Sequence, residues 1–429
     1  MLFSKIDILD SDLNLQSDMY VGVKDGIIKY IGREKPLEDF GESYNGRGKL
    51  LMSGFINAHS HSAMTLMRGY AENMTLSDWL YKRIFPFEAK LYGEAVYYGT
   101  MLAAAEMVRF GIVSTTDMYY FGEYVKRAVL DSGIKMNYGT SISVFDDRHL
   151  RELDVYGEIK ALTEQYAKED KNGRFKFIVA PHSEYTTTPL VIREAAEYAL
   201  ENSLDVTVHV SETRSEQEAC KARHDGKTPV RYFYDLGLLN SRSTLAHCVY
   251  IEGEDFDLLK EKGVSIATCP VSNLKLASGI APVHKMLDLG INVAIGTDSV
   301  VSNNNLNMME EIKLVALLYK GITGDPCLIT PKDAIYAATR AGAISQGRYD
   351  TGELKVGNRA DLIVLDFEKT PYAHPVHSTL NNLVFSMQGT DVVLTMVDGR
   401  VLYKDGEYTT VDIEKVIYNV ESIAKRLAD

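Results

Sequence analysis

Eight short runs rich in apolar and β-branched residues recur through the middle of the chain, and stretches of helical spacing separate them. The runs are Leu51 to His59, Ile112 to Asp117, Ile134 to Ser141, Phe175 to Pro181, Val206 to Val210, Thr244 to His247, Val264 to Thr268 and Val293 to Gly296. Segments such as Ala95 to Phe110, Leu190 to Asn202 and Asp255 to Lys262 lie between them with an amphipathic period. Strands that alternate with helices run parallel, because a helical crossover returns the chain to the end of the sheet where it began. Eight such units over about 290 residues predict an α/β fold of the (β/α)8 TIM-barrel type, whose functional groups sit at the C-terminal ends of the strands. A doubly wound open sheet is the structural alternative.

The two ends of the chain follow a different pattern. Met19-Tyr-Val-Gly-Val and Ile27-Ile-Lys-Tyr-Ile flank Lys24-Asp-Gly26, and Asp398-Gly399 and Asp405-Gly406 punctuate apolar runs near the other end. Asp-Gly between alternating runs is a hairpin signal, because glycine reaches positive φ without steric cost. The expectation is a small β-sandwich domain built from both ends, residues 1–53 and 346–429, around a barrel of residues 54–345. No internal repeat stands out.

Composition narrows the partners. The 46 basic residues are outnumbered by 59 acidic ones, for a net charge of −13, and no cluster of Lys and Arg offers a face for nucleic acid. No apolar run approaches the roughly 18 residues of a membrane span. The first residues, Met1 to Asp10, lack the basic and apolar stretches of a signal peptide, and a cytoplasmic protein is expected. Cys220, Cys248, Cys269 and Cys327 form no C-x-x-C pair and read as reduced thiols packed like small apolar residues. The oligomeric state stays open: helices such as Ala95 to Phe110 suit pairing between chains in a homo-oligomer as well as packing on the barrel.

The polar residues at the strand ends carry the chemistry. His59 and His61 end the first run, His182 follows the fourth, His209 and Glu212 the fifth, His247 the sixth, and Asp298 the eighth. One histidine in such a place is usually a satisfied core residue, but five of the ten histidines lie at or just past strand ends. His59 and His61 are two apart, so on a strand both imidazoles point the same way and share one cation. With His209 and Asp298 they supply three nitrogens and a carboxylate, a set suited to one Zn²⁺ or a similar divalent metal with a position left for water. The competing readings are a helix cap for Asp298 and a carboxylate at a helix N-terminus for Glu212.

Gly54-Phe-Ile-Asn-Ala-His-Ser-His-Ser-Ala-Met-Thr-Leu-Met-Arg-Gly69, His209-Val-Ser-Glu212, Ala246-His-Cys248, Ser272-Asn-Leu-Lys-Leu276 and Gly296-Thr-Asp298 resemble the amidohydrolase superfamily, in particular its cytosine-deaminase-like branch and, within it, the 5-methylthioadenosine/S-adenosylhomocysteine deaminases. Gly352 to Asp361 is similar to the segment that leads those chains back into the β domain, so the resemblance spans nearly the whole sequence. It implies that His59, His61, His209 and Asp298 hold the metal, that Glu212 shuttles a proton and that His247 polarises the water. The implied reaction replaces the 6-amino group of a nucleoside such as 5′-methylthioadenosine, S-adenosylhomocysteine, 5′-deoxyadenosine or adenosine and releases ammonia. Zinc would bring the pKa of water from ~15.7 to near ~7, Glu212 would protonate the ring nitrogen, and Asp298 would pass the water's proton to the leaving group.

The same resemblance implies substrate contacts at Trp79, as an aromatic wall, at Glu88, toward the ribose hydroxyls, and at His182, toward the purine. Relatives that take S-adenosylhomocysteine carry an arginine where this chain reads Thr140-Ser141, which leaves Arg148, followed by Arg151, as the group for an amino-acid carboxylate. Two rival activities use the same metal site: dechlorination of an s-triazine, and deamination of a guanine- or cytosine-type ring. Glu212 favours deamination, since chloride leaves without a proton. A metal-free scaffold protein is disfavoured because every ligand is present.

Overall fold

The computed structural model describes residues 1–168 and 173–428. Its strands are, in chain order, β1 (Leu2–Leu9), β2 (Leu15–Lys24), β3 (Ile27–Gly32), β4 (Ser43–Asn45), β5 (Lys49–Ser53), β6 (Phe55–Ser60), β7 (Ile112–Tyr119), β8 (Lys135–Ile142), β9 (Phe175–Phe177), β10 (Ala180–Pro181), β11 (Val206–Val210), β12 (Ser243–His247), β13 (Ser265–Thr268), β14 (Asn292–Ile295), β15 (Leu362–Asp366), β16 (Val392–Val397), β17 (Arg400–Lys404) and β18 (Glu407–Tyr408).

The architecture is mixed α/β. From β6 to β14 every strand pairing is parallel, in two sheets ordered β10-β8-β7-β6, with β9 also on β8, and β11-β12-β13-β14. Two isolated parallel bridges, Ser60 to Asp298 and Val179 to Val206, connect the sheets at both sides. Helices supply the crossovers, among them Gly93–Arg109, Gly122–Ser132, Pro189–Glu201 and Asp255–Lys262. Residues of β7, β8, β11 and β12 are buried on both faces, the condition of parallel strands covered by helices.

Two of the predicted strands are broken. The run from Leu51 to His59 divides at Gly54: β5 pairs with β1 and β15, whereas β6 pairs with β7. The Gly54 amide donates to the Asp361 carbonyl at 2.9 Å, and a Cβ at this position would lie 2.3 Å from Val113 Cγ1, so a side chain has no room where the chain passes from one sheet to the next. The run from Phe175 to Pro181 changes neighbours midway. The Ile178 amide donates to Tyr138 on β8, and the next amide, Val179, donates to Asp205 at the approach to β11.

Both ends of the chain meet in one nine-stranded sheet, β18-β17-β16-β15-β5-β1-β2-β3 with β4 on β1. Asp25-Gly26, Asp398-Gly399 and Asp405-Gly406 all have positive φ at both residues, as the two-residue hairpin turns require. Phe3, Ile8, Val21, Tyr44, Leu362 and Leu394 belong to one apolar cluster drawn from both ends. A charged contact ties this sheet to the parallel strands: Lys135, at the start of β8 and 1% exposed, lies 2.6 Å from both Asp361 Oδ2 and Asp398 Oδ1.

The last part of the chain is not all strand. Helix Ile413–Ala428 packs along Gly93–Arg109, and Lys90 Nζ donates to the Leu427 carbonyl at 3.0 Å, so the helix considered for pairing between chains meets a helix of its own chain. Cys220, Cys248 and Cys269 are buried free thiols; Cys327, expected to be packed, is exposed. Among the described residues no helix is long and apolar enough to cross a membrane.

Candidate active site

The strand ends bring five groups together. His59 Nε2 lies 3.6 Å and His61 Nε2 3.4 Å from Asp298 Oδ1, and His209 Nε2 lies 3.3 Å from His61 Nε2. His247 completes a second triplet with His59 and Asp298, all ligand atoms within 4.8 Å of one another.

Two of the rings are held by their far nitrogens. His61 Nδ1 donates to the Met118 carbonyl and His209 Nδ1 to the His182 carbonyl, both at 2.7 Å. A carbonyl only accepts, so these bonds fix the Nδ1–H tautomer and leave each Nε2 lone pair facing the cluster. His59 Nε2 is buried without any hydrogen-bond partner, an arrangement that costs free energy unless a further group is bound there. Burial keeps His59 neutral, lowering its pKa to about 4, and it lowers His209 as well, with the neighbouring imidazoles adding to the effect. Asp298 moves the other way: burial opposes its charge, but the His59 contact and the other imidazoles hold its carboxyl well below the usual range. Neutral imidazoles around an ionised carboxylate are the donor set of a divalent cation.

Asp298 is aimed by its backbone. It stands at φ +59°, a left-handed conformation that Asp tolerates better than most residues, with its amide donating to the His59 carbonyl at 3.0 Å. Its Oδ2 receives the Ser272 hydroxyl at 2.5 Å and the Ser302 hydroxyl at 3.0 Å, which leaves Oδ1 toward the histidines. This carboxylate therefore does not cap a helix. Glu212 is not the helix-terminal carboxylate either. That position belongs to Glu216, which completes a capping box with Thr213 and accepts the amides of Ser211 at 2.9 Å and Glu212 at 2.7 Å. Glu212 is 4% exposed, takes the Ser278 hydroxyl at 3.2 Å and places Oε2 3.8 Å from His247 Nε2. Burial raises its pKa against the opposing pull of His247. Burial also opposes charge on His247, but the Glu212 and Asp298 carboxylates, with the bond from Nδ1 to Asn273 Oδ1 at 2.9 Å, raise it overall.

A cavity opens over this cluster. Its wall includes Trp79, Glu88, Tyr120, Ser141, His182 and Tyr185. The Trp79 indole N–H is buried without a partner. His182 Nδ1 lies 3.0 Å from Thr186 Oγ1, and burial takes its pKa down to about 3, so the ring is neutral. Glu88 is pushed up to about 7 by burial, against the effect of the Tyr119 hydroxyl.

The amidohydrolase family model matches residues 50–402. The chain belongs to the amidohydrolase family. Among amidohydrolases it is 38% identical over 428 residues to a 5-methylthioadenosine/S-adenosylhomocysteine deaminase of Dictyoglomus thermophilum, covering 100% of this chain and 99% of the relative. It is 37% identical over 419 residues to a 5′-deoxyadenosine deaminase of Methanosarcina acetivorans, covering 98% and 96% of the two chains. The crystal structure of an adenosine deaminase from Xanthomonas campestris with bound zinc superposes with a TM-score of 0.92 at 28% identity, over 100% of this chain and 98% of that one.

Nearly all the residues singled out in the sequence line this amidohydrolase cavity or its floor. Arg148 does not. Its side chain is half exposed and bound to both oxygens of Asp146 at 2.9 and 3.0 Å on the loop after β8, two residues being all the reach this pair needs. The sequence reading missed Asn273 and Glu216, whose roles depend on partners in space. It quoted Ser272-Asn273 within a motif without assigning them the task of holding Asp298 and His247.

Proposed function

We propose that this amidohydrolase is a metal-dependent aminohydrolase that exchanges the 6-amino group of an adenosine-type nucleoside for oxygen and releases ammonia. The observation that carries the reading is the convergence of three imidazoles and an ionised carboxylate beneath a cavity that also holds the buried Glu212. The names of relatives that align along the whole chain, deaminases of 5-methylthioadenosine, S-adenosylhomocysteine and 5′-deoxyadenosine, support the substrate class. The two bridges joining the parallel sheets support a closed (β/α)8 barrel of residues 54–345. The apolar cluster shared by both chain ends supports a β-sandwich made from 1–53 and 346–429.

His59, His61, His209 and Asp298 would hold the metal, and the orphaned His59 Nε2 fits that role. A bound Zn²⁺ supplies a Lewis acid that makes water nucleophilic at neutral pH. The protein's own groups do the rest. Attack at C6 places electrons on the adjacent ring nitrogen, so that nitrogen needs a proton; Glu212, buried in the cavity with its pKa raised, is the group positioned to deliver it. Asp298, kept ionised, accepts the proton that water gives up and returns it to the departing amine. His247 Nε2 faces Glu212 across 3.8 Å and would polarise the attacking water. Trp79 offers the base a flat apolar surface and a free N–H, His182 a neutral ring nitrogen, and Glu88 an acceptor for the ribose hydroxyls.

The decisive experiment is ammonia release by zinc-loaded protein from 5′-methylthioadenosine, 5′-deoxyadenosine and adenosine, with cytosine, guanine and an s-triazine as controls. Glu212→Gln should reduce turnover by about 10²-fold or more with the metal content unchanged. Full activity in that variant would remove Glu212 from the mechanism, and release of chloride rather than ammonia would select the triazine reading.

A further inference from the structure

Two loops from different strands hold Asp298. One follows β13 and forms the short helix Pro270–Lys275, where the Ser272 hydroxyl donates to Asp298 Oδ2 and Asn273 Oδ1 faces His247 Nδ1. The other follows β14, where the Ser302 hydroxyl donates to the same Oδ2. A single side chain spans both loops. Glu311 lies in the first turn of helix Met308–Thr323, is fully buried and does not line the cavity. Its Oε2 accepts the amide of Val271, next to Ser272, at 3.1 Å, and its Oε1 accepts Asn303 Nδ2, next to Ser302, at 2.6 Å. The same Asn303 nitrogen donates to the carbonyl of Thr297, the residue before Asp298, at 2.8 Å. Burial pushes the Glu311 carboxyl well above the usual carboxylate range, with Glu310 and Asp298 adding to the rise and the two hydrogen bonds opposing it. Helix packing alone would be served better by an apolar side chain of this size; an acid adds two acceptor oxygens at a fixed separation.

We infer that Glu311 is a positioning residue for the metal-holding centre: by tying the loop of Ser272 to the loop of Ser302 it fixes Asp298 Oδ2, and so turns Oδ1 toward His59 and His61. The inference rests on the reading of Asp298 as a metal ligand. Without Glu311 the Val271 and Asn303 amides lose their common acceptor, the two hydroxyls shift, and the carboxylate they hold can rotate. Such a residue acts on the aim of a ligand rather than on the substrate, so its loss falls on metal retention and kcat and spares KM.

The test is zinc dissociation into a chelator, with kcat and KM for 5′-methylthioadenosine and denaturant unfolding measured on the same proteins. Glu311→Ala should speed zinc loss and lower kcat by about 10-fold or more, with KM changed by less than about threefold. Glu311→Gln keeps the volume of the side chain and one reliable acceptor, so it should speed zinc loss by about fivefold, and it carries the test if the alanine variant does not fold. A side chain that merely supported the fold would act independently of the two hydroxyls. In the Ser272→Ala/Ser302→Ala background either substitution should therefore add less than about twofold to zinc loss, because the bonds that transmit its effect are gone. Zinc loss unchanged by Glu311→Gln, or accelerated by the same factor in both backgrounds, overturns the inference while leaving the metal reading standing. An unaltered protein that retains no zinc, or zinc retention that Asp298→Ala leaves intact, overturns the reading of Asp298 as a ligand, and the role of Glu311 with it.

Discussion

Asn273 is the residue through which the orientation of His247 can be put to a quantitative test. His247 is 1% exposed, stands at φ +69°, and has one side-chain hydrogen bond from Nδ1, the 2.9 Å bond to Asn273 Oδ1. The amide oxygen only accepts, so Nδ1 carries the proton and Nε2 is the nitrogen presented to Glu212 and the cavity. Asn273→Ala leaves that N–H buried and unpaired, which costs about 1–3 kcal/mol of stability. The backbone carbonyl of residue 273 still accepts the Ser278 amide, at 2.8 Å, so the local turn survives and the loss concentrates on the ring. Losing the partner that orients a ligand-type histidine typically costs about 10- to 100-fold in activity. Denaturant unfolding, metal analysis and kcat for 5′-methylthioadenosine should therefore show a protein about 1–3 kcal/mol less stable, still metal-loaded, with kcat reduced about 10- to 100-fold. Asn273→Asp keeps an acceptor at the same atom and should recover most of kcat. Unchanged kcat in the alanine variant, or a loss of the same size in the aspartate variant, would refute the assignment of ring orientation to this bond.

Three further outcomes follow from the site. Zinc added to chelated protein should raise the thermal midpoint by the equivalent of about 2.7 kcal/mol at a hundredfold excess over Kd, and Asp298→Ala should abolish that gain. Glu216→Ala removes the acceptor of the Ser211 and Glu212 amides, so kcat should fall by about 10-fold or more while KM and zinc content change little, because the displaced group is Glu212 rather than a ligand. Glu88, raised to about 7, adds stability that is complete below its unfolded value and is lost as pH rises through about 7. The metal-loaded protein should therefore lose thermal stability between about pH 4.5 and 7 relative to Glu88→Gln, and parallel pH profiles for the two proteins would contradict the shift.

The parallel-strand body and its charged centre were legible in the sequence because both are written locally. Apolar runs alternate with amphipathic ones, and five histidines and an aspartate fall where those runs stop. What escaped is set by contacts between distant segments. Nothing within Leu51 to His59 says that the strand divides at Gly54; the reason is Val113, which fills the place a side chain would need. Ile178 and Val179 read as ordinary strand residues, and only their different amide partners reveal the break. Arg148 was chosen for its charge type, and Asp146, two residues earlier, shows that a local partner takes it. Glu216 and Glu212 are indistinguishable as sequence symbols. Their roles separate because one meets backbone amides and the other faces His247.

The ammonium of Lys135 bears on how the molecule comes apart. Its two carboxylate partners, Asp361 and Asp398, both belong to the far end of the chain, while its own strand leads toward the cavity at Thr140 and Ser141. Separating the terminal sheet from the parallel strands would break both contacts of this buried ammonium at once. Neither part can therefore melt alone without penalising the other. Trimming the protein to its catalytic strands would forfeit the catalyst, because the ends of the chain act as a keystone for its centre.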